Sequence, residues 1–317
     1  MTERLSLEHF DRAISNNRTL SYKMALAKAL LKHESKGKVA LLDIAETVAK
    51  TYYRHAIFFR FRESPSIEEP VAIQAVRCAT SSYYGEEIPP KKPAQSVIEK
   101  AAEKMTEPQG FFRFVLSAWS GGPEEAQEGS NMYFSYSRPE GWLEYSSGFL
   151  DLIQEHRSIL NALITLRWVE FLEKFNDAPR LVGKVGGIPP SRRTTNFREL
   201  FLNFPELFTS DTCWLCGKPL DQDTFTLDHV VPFSFQYGDD LWNLVPAHKH
   251  CNSAKGDRLG DMALIKRVRQ RNEQLLERRE DAIVRKIMEP DDQFVAALEE
   301  AHHKAQRAGY RTWNSEP

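Results

Sequence analysis

The chain has 317 residues, a formal net charge of −2 and 41% apolar residues. This composition predicts a water-soluble globular protein of about two domains. No apolar run approaches the ~20 residues that a membrane-spanning helix needs. The charged N-terminus lacks a signal-peptide core, so we expect a cytoplasmic protein with no membrane partner. Because the net charge is close to zero, any nucleic-acid binding must depend on a local basic face.

Two helices are predicted near the N-terminus. Apolar residues recur at helical spacing over 24–31 and again over 41–52, and Ser21 is placed to cap the first helix. Two helices separated by a short break are compatible with a helix-turn-helix or winged-helix DNA reader. A plain helical packing layer or a self-association surface is the favoured alternative, because no recognition helix stands out.

The following segments extend this helical domain. Further helices are predicted over 71–81, 94–105 and 148–175, the last as a central buried helix. The apolar segment 111–116 is either a strand or a buried helix, and alternating residues over 132–136 and 142–145 predict a strand pair. We therefore predict a mainly helical domain over 1–183. The Gly-, Pro- and Arg-rich segment 184–196 is its predicted linker, which either contacts the DNA backbone or acts only as a hinge.

Two pairs of metal-ligand residues flank the segment 217–247. Cys213 and Cys216 form a C-x2-C pair, and His248 and Cys251 form an H-x2-C pair. A closed set of thiolate and imidazole ligands is typical of structural Zn²⁺. His250 is an alternative to His248 as the fourth ligand. Cys78 is the one cysteine outside this set and has no other cysteine to pair with, which argues against a disulfide framework.

The residues between and beside these pairs predict a strand, a second strand and a helix. The first strand ends in LDHVVP, the second contains WNLVP, and the helix begins in HCNSAKGD. Asp228 and His229 lie on the first strand and Asn252 lies on the helix. Carboxylate and amide oxygens favour a hard divalent cation, and the adjacent imidazole is a candidate base.

These three motifs, together with the two ligand pairs, resemble the zinc-tied subgroup of the HNH endonucleases. The resemblance covers residues 213–259 and implies the ββα-metal nuclease fold. It implies that His229 is the general base and that Asp228 and Asn252 bind a catalytic Mg²⁺ or Mn²⁺. Asn243 would hold the loop that orients the base. The third motif letter is Asn252 rather than histidine, a variant that leaves the metal role intact.

The implied chemistry agrees with these residue types. An imidazole with a reference pKa of ~6.5 can take a proton from water at neutral pH. A carboxylate and an amide can hold a cation against phosphate oxygens. Lys255 and Arg258 are candidate phosphate contacts, with a solvated helix face as the equal alternative.

Helices are expected after the motifs. A charged helix is predicted over 261–288, with either a DNA-facing surface or a solvated or coiled face. Its basic residues are Lys266, Arg267, Arg269, Arg271, Arg278, Arg279, Arg285 and Lys286. A last helix is predicted from about 292 to 309, with His302 and His303 at its surface. The predicted fold class is therefore α+β, with a zinc-stabilised HNH nuclease domain and C-terminal helices over 197–317.

Three functions are compatible with this organisation. The first is a metal-dependent DNA endonuclease of bacterial restriction or anti-phage defence, whose N-terminal domain selects the target or a partner. The second is a nuclease subunit of a larger defence complex that a partner or signal activates. The third is a non-catalytic zinc module that binds DNA, although such a module needs no base beside a metal site. One such site cuts one strand, so double-strand cleavage would imply a homodimer or two successive events.

Overall fold

The computed structural model describes residues 5–16, 21–34, 37–120, 126–190, 194–208, 211–221, 223–278 and 294–313. It divides into two compact units. The N-terminal unit is Met1–Asn176 with Leu181–Ile188, and the C-terminal unit is Asp177–Arg180 with Pro189–Pro317. Helices and two antiparallel sheets are both present, so the predicted α+β class is confirmed. The domain limits drawn from the sequence stay predictions.

The N-terminal unit is mainly helical and carries a four-stranded sheet. Its elements are α1 (Leu7–Ser15), α2 (Tyr22–His33), β1 (Lys38–Ala40), α3 (Leu41–Tyr52), a π-helix (Tyr53–Phe58), α4 (Val71–Tyr84), α5 (Gln95–Thr106), α6 (Phe111–Ser120), β2 (Glu128–Ser130), β3 (Phe134–Ser137), β4 (Trp142–Tyr145), α7 (Ser147–Leu172) and α8 (Leu181–Gly186). The strand order is β1-β4-β3-β2, and all pairs are antiparallel. The sequence predicts the β3–β4 hairpin but not β1 or β2, because three-residue strands carry too short a pattern.

Helix α2 belongs to the core of this unit, since nine of its twelve residues are buried. Ser21 occupies the N-cap position of this helix, as predicted, but its hydroxyl makes no capping bond and lies 3.0 Å from the Tyr52 hydroxyl instead. Strand β1, rather than a short turn, connects α2 to α3. Burial of α2 and this connection favour the packing layer over a helix-turn-helix. The ambiguous segment 111–116 is helical, within α6.

Helix α7 is less buried than the sequence predicts. Its N-terminus is capped by Ser146, whose hydroxyl accepts a hydrogen bond from the Phe149 N–H at 3.2 Å. Trp168 is fully buried, but Ile159 and Leu166 are 46% and 49% exposed. The expectation of a central buried helix is therefore wrong for one face of α7, because a helix at a domain surface buries only one stripe.

The C-terminal unit contains the second sheet, which has two strands. Its elements are α9 (Thr194–Asn203), α10 (Pro205–Phe208), β5 (Thr226–His229), α11 (Phe233–Gln236), a 3₁₀-helix (Leu241–Asn243), β6 (Leu244–Ala247), α12 (Lys249–Lys255), α13 (Met262–Glu277) and α14 (Ala296–Arg307). Strands β5 and β6 are antiparallel, with Thr226 opposite Ala247 and His229 opposite Leu244. The order β5, β6, α12 is the strand, strand, helix that the motifs predict.

Helix α13 packs against α10, α14 and the 3₁₀-helix that precedes β6. Asp261 caps it by accepting a hydrogen bond from the Leu264 N–H at 2.7 Å. Its buried residues Leu264, Ile265, Val268, Arg271, Asn272 and Leu275 recur at helical spacing. Arg271 is only 2% exposed. Both predicted environments, a DNA-facing surface and a solvated face, are therefore wrong for it.

The Arg271 guanidinium instead satisfies backbone carbonyls at the start of β6. It donates hydrogen bonds to the carbonyl oxygens of Leu241 at 3.1 Å, Trp242 at 3.2 Å, and Leu244. Burial lowers the pKa of Arg271 to about 9. Asn272 donates a further bond to the Trp242 carbonyl at 3.0 Å. The two side chains thus fix the 3₁₀-helix that precedes β6. The basic residues predicted beyond 278 lie outside the described residues.

The prediction that His302 lies at the surface is also wrong. This side chain of α14 is 1% exposed, and its Nε2–H donates to the Gly260 carbonyl at 3.1 Å. Burial lowers the pKa of His302, although the bond to Gly260 opposes that effect. His303 is exposed, as predicted. The start predicted for this helix and Arg192 and Arg193 of the predicted linker lie outside the described residues. Within the described ranges, no helix has both the length and the hydropathy to cross a membrane.

Candidate functional site

The two predicted ligand pairs meet at one point of the C-terminal unit. The ligand atoms of Cys213, Cys216, His248 and Cys251 all lie within 4.8 Å of one another. The Nδ1 atom of His248 lies 3.4 Å from the Cys216 sulfur and 3.7 Å from the Cys251 sulfur. A tetrahedron with Zn–S bonds of ~2.3 Å has ligand–ligand edges of about 3.8 Å. The four side chains are therefore close to the spacing that Zn²⁺ requires.

His248, and not His250, completes this cluster. The Nε2 atom of His248 is 3.0 Å from the Pro219 carbonyl, to which Nε2–H donates, so Nδ1 is left to face the thiols. Such a bond to the second ring nitrogen is typical of histidines that bind metals. His250 is exposed and its ring stacks on His248 with centroids 4.8 Å apart. Of the two histidines that the sequence left open as the fourth ligand, the structure favours His248.

Without a bound cation, the thiols of the cluster shift one another's pKa values. Burial would raise the pKa of Cys216, but hydrogen bonds from the Lys218 backbone and from the neighbouring ligands lower it to about 7. Burial and the adjacent thiols raise the pKa of Cys251 to about 12. One thiol ionises readily and then hinders the next. A divalent cation at the centre would remove this conflict, because it stabilises all the thiolates together.

A tight turn brings the first pair to the second. The Gly217 N–H donates to the Cys213 carbonyl at 2.8 Å, and Gly217 has φ +72°. That left-handed conformation favours glycine. The Trp214 N–H donates to the Pro246 carbonyl at 3.0 Å, which attaches the turn to β6.

Helix α12 crosses β5 with two polar side chains against the strand. The Asn252 amide nitrogen lies 3.3 Å from both the Thr226 hydroxyl and the Leu227 carbonyl. One helical turn later, the Lys255 ammonium lies 3.1 Å from Oδ2 of Asp228 and donates to the His229 carbonyl at 2.6 Å. The structure therefore brings the predicted helix residues beside the predicted strand residues.

Lys255 corrects one expectation from the sequence. Its side chain is 0% exposed and engages Asp228 and the His229 backbone. A solvated helix face is therefore wrong for Lys255, and a phosphate contact would require it to leave both partners. Arg258 is half-buried, and its guanidinium donates to the Ala254 carbonyl at 2.9 Å. A phosphate contact by Arg258 stays a prediction.

The His229 ring lies in a small enclosure at the end of β5. Its Nε2 atom is 3.0 Å from Oδ1 of Asp239, a side chain that is fully buried. The Phe233 ring meets the imidazole edge-on, with centroids 5.4 Å apart. Asp239 lies outside the motifs that the sequence displays. The available signal is an acidic pair, Asp239-Asp240, in the loop between the two strand motifs, but no fixed spacing connects that pair to His229.

The loop that carries Asp239 is held by Arg180. This guanidinium donates to Asp240 at 2.7 and 2.9 Å and to the Gln236 carbonyl at 3.0 Å. Gly238 lies so close to it that an added Cβ would be 2.0 Å from the Arg180 nitrogen. A side chain at position 238 would therefore force the Arg180 guanidinium to move from this position.

Asn243 ties the segment after His229 to the start of β6. Its side chain is fully buried. Oδ1 accepts a hydrogen bond from the Val231 N–H at 2.7 Å, and Nδ2 donates to the Val231 carbonyl at 2.8 Å. The backbone adds a bond from the Val230 N–H to the Asn243 carbonyl at 2.9 Å. The amide thus replaces a missing strand partner for Val231.

The Asp228 carboxylate is suited to an additional cation. Its Oδ2 atom is buried and receives no hydrogen bond of acceptable direction, although the Lys255 ammonium is 3.1 Å away. We regard this contact as an ion pair that leaves the oxygen's hydrogen-bonding capacity unmet. The Asn252 amide nitrogen is hydrogen-bonded to β5, so Oδ1 is the atom of this amide that could bind a cation. Two hard oxygens of this kind fit Mg²⁺ or Mn²⁺.

Comparison with known proteins agrees with this geometry. Residues 213–258 match the family model described as HNH endonuclease. No curated protein and no solved structure matches the chain. The matched segment contains the Cys/His cluster, β5, β6 and α12. An HNH domain of this kind indicates nuclease chemistry with DNA as the substrate. Residues 213–258 are therefore an HNH endonuclease domain, and their Cys/His cluster is compatible with the zinc-tied subgroup of that family.

Proposed function

We propose that this protein is a metal-dependent endonuclease that hydrolyses DNA phosphodiester bonds. The observation that carries the proposal is the contact of α12 with β5. Lys255 of the helix engages the Asp228–His229 pair of the strand, and Asn252 lies against the two preceding residues. A buried carboxylate, an imidazole and an amide against one strand are groups that metal-dependent hydrolysis of a phosphodiester can use.

In the proposed reaction, His229 is the general base. It takes a proton from a water molecule, and the resulting hydroxide oxygen attacks the phosphorus as the bond to the 3′-oxygen breaks. Asp228 and Asn252 would hold Mg²⁺ or Mn²⁺, which when bound stabilises negative charge on the phosphate and on the leaving oxygen. Asn243 holds the backbone that follows the base. Lys255 compensates the charge of the buried Asp228 carboxylate and supports the His229 carbonyl.

The Cys/His cluster has a structural role in this proposal. Cys213, Cys216, His248 and Cys251 offer a closed set of four ligands, which leaves no position for a reacting water on Zn²⁺. The cluster attaches the turn at Cys213–Cys216 to the start of α12. It would therefore fix the helix that carries Asn252 and Lys255 against β5.

The biological role that we propose is bacterial restriction or anti-phage defence. Its support is the architecture alone, in which a helical unit of unassigned function accompanies an HNH domain. That unit would select the target DNA or a partner. A nuclease subunit that a partner or signal activates is the second candidate, and it differs from the first only in regulation.

The test is nicking of supercoiled plasmid by the full chain with Mg²⁺ or Mn²⁺ and with EDTA. We expect metal-dependent nicking by the wild type and a loss of ~10²–10⁴-fold in His229→Ala, the usual contribution of a general base. His303→Ala, which changes an exposed histidine of α14, is the matched control. Zinc content and circular dichroism confirm that each variant is folded. Full activity in His229→Ala would reject the general-base assignment.

Inactive but folded, zinc-loaded wild type would instead favour the gated subunit. Adding the proteins encoded beside the gene would then be the next comparison. DNA binding without any cleavage under all of these conditions would favour the non-catalytic zinc module. The product pattern also separates single nicks from double-strand breaks, which would require a homodimer or two successive events.

A further inference from the structure

We infer that Asp239 is a positioning residue for His229. Its carboxylate selects the imidazole tautomer that carries hydrogen on Nε2 and leaves Nδ1 as the atom that accepts the proton from water. The inference rests on the proposed function of His229 as the base. It concerns a residue outside the three HNH motifs that the sequence displays.

The geometry of the pair determines the tautomer. Asp239 Oδ1 lies 3.0 Å from His229 Nε2, with the carboxylate fully buried and the imidazole 11% exposed. An ionised carboxylate can only accept hydrogen bonds, so the hydrogen of the pair is on Nε2. A neutral imidazole has one such hydrogen. Its lone pair is therefore on Nδ1, the nitrogen on the side of the ring away from the carboxylate.

The surroundings hold both partners in place. The Phe233 ring packs edge-on against the imidazole and limits its rotation. The next residue after Asp239 is Asp240, whose carboxylate receives two hydrogen bonds from Arg180. The carboxylate of Asp239 is thus presented by a clamped loop rather than by a mobile one. Because the Asp239 carboxylate is fully buried, water does not compete for it, and the low local dielectric strengthens the charged hydrogen bond to Nε2.

This arrangement assists proton transfer in two ways. Before the reaction, every His229 ring offers a lone pair in the same direction, so no fraction of the protein holds the wrong tautomer. When an O–H bond of water breaks and its proton moves to Nδ1, the imidazole becomes positively charged. The negative charge of Asp239 then lies directly against it, in a poorly solvated place where their attraction is strong. A purely structural carboxylate would hold the loop but would not affect the tautomer.

The test measures the tautomer and the rate separately. Protein labelled with ¹⁵N-histidine is examined by multiple-bond ¹H–¹⁵N correlation spectra, and the His229 signals are assigned by their loss in His229→Ala. We expect the Nε2–H form in the wild type and a mixture of tautomers in Asp239→Asn, whose amide no longer determines which nitrogen is protonated. We also expect kcat for plasmid nicking to fall at least tenfold in Asp239→Asn, with KM for DNA unchanged.

Asp223→Asn is the matched control, because it removes an exposed carboxylate of the same unit and should change neither readout. An Nδ1–H tautomer in the wild type would overturn the inference. So would wild-type kcat, or an unchanged tautomer, in folded Asp239→Asn. If that variant does not fold, the wild-type spectrum alone decides. Absence of nicking by the wild type would favour the gated subunit or the zinc module, whereas the spectra would still show whether Asp239 fixes the ring.

Discussion

The contact between Asn243 and Val231 allows a quantitative prediction. In Asn243→Ala, the Val231 N–H and carbonyl lose their partners at 2.7 and 2.8 Å inside a fully buried site. Each unpaired buried backbone group costs about 1–3 kcal/mol. The two groups together would cost about 2–6 kcal/mol, and partial relaxation of the backbone should keep the cost in the lower half of that range, at ~3 kcal/mol. A tenfold change corresponds to about 1.4 kcal/mol, so local opening should become roughly a hundredfold easier.

Hydrogen exchange measured by mass spectrometry tests this value at the residue concerned. Peptides that cover 229–236 of zinc-loaded protein report the Val231 amide, which should exchange roughly a hundredfold faster in the variant. Plasmid nicking should fall in parallel, because the backbone after His229 is no longer held. Asn161→Ala is the control, since Asn161 is exposed and donates one bond to the Arg157 carbonyl of its own helix.

Two results would refute this reasoning. Unchanged exchange together with unchanged nicking would mean that Asn243 does not hold the loop. Slow nicking with unchanged exchange would mean that Asn243 acts on the substrate directly and not through the backbone of Val231.

Two further predictions concern the Cys/His cluster and the stability of the protein in acid. Cys251→Ser and His248→Ala should lose zinc and unfold at lower temperature, whereas His250→Ala should keep its zinc; elemental analysis showing the reverse for the histidines would reject the ligand set. Burial lowers the pKa of His302 in the folded protein, so the unfolded chain binds a proton at this histidine more readily than the folded chain does. The contribution of neutral His302 to the free energy of unfolding is therefore present above about pH 6.5, the usual histidine pKa, and is lost as the pH falls through the folded pKa. His302→Gln, which keeps a donor for the Gly260 carbonyl, should reduce this acid loss in urea titrations between about pH 7.5 and 5. An identical loss in both proteins would contradict the assignment.

The Cys/His cluster and the β5–β6–α12 order could be predicted because the sequence features that determine them are local. Ligand pairs such as Cys213 and Cys216 lie within one turn of chain, and short alternating segments predict strands. The family resemblance added the roles of the site residues, which stay proposals. The sheet of the N-terminal unit was only half predictable, because β1 and β2 are three-residue strands and the partner of β1, strand β4, is distant in the sequence.

The buried polar side chains could not be predicted, for a common physical reason. Lys255, Arg271 and His302 are residue types that usually lie at the surface. Each is buried where it donates a hydrogen bond to a carbonyl oxygen of a different element, at His229, Leu244 or Gly260. A helical pattern records which face is apolar, but it does not record which distant carbonyls need a donor. Asp239 was missed on the same grounds, since its partner is fixed only by the folded loop.

The position of Arg271 limits how this HNH domain can be treated as a module. The family match ends at residue 258, yet the carbonyls that lead into β6 receive their hydrogen bonds from a helix that begins at Met262. A graft of residues 213–258 into another protein would remove the donors to these carbonyls and the helix that packs against the 3₁₀-helix before β6. The smallest portable form of the domain therefore extends through α13. Recombination that kept the motifs but exchanged this helix would have to supply a buried cation at the same place.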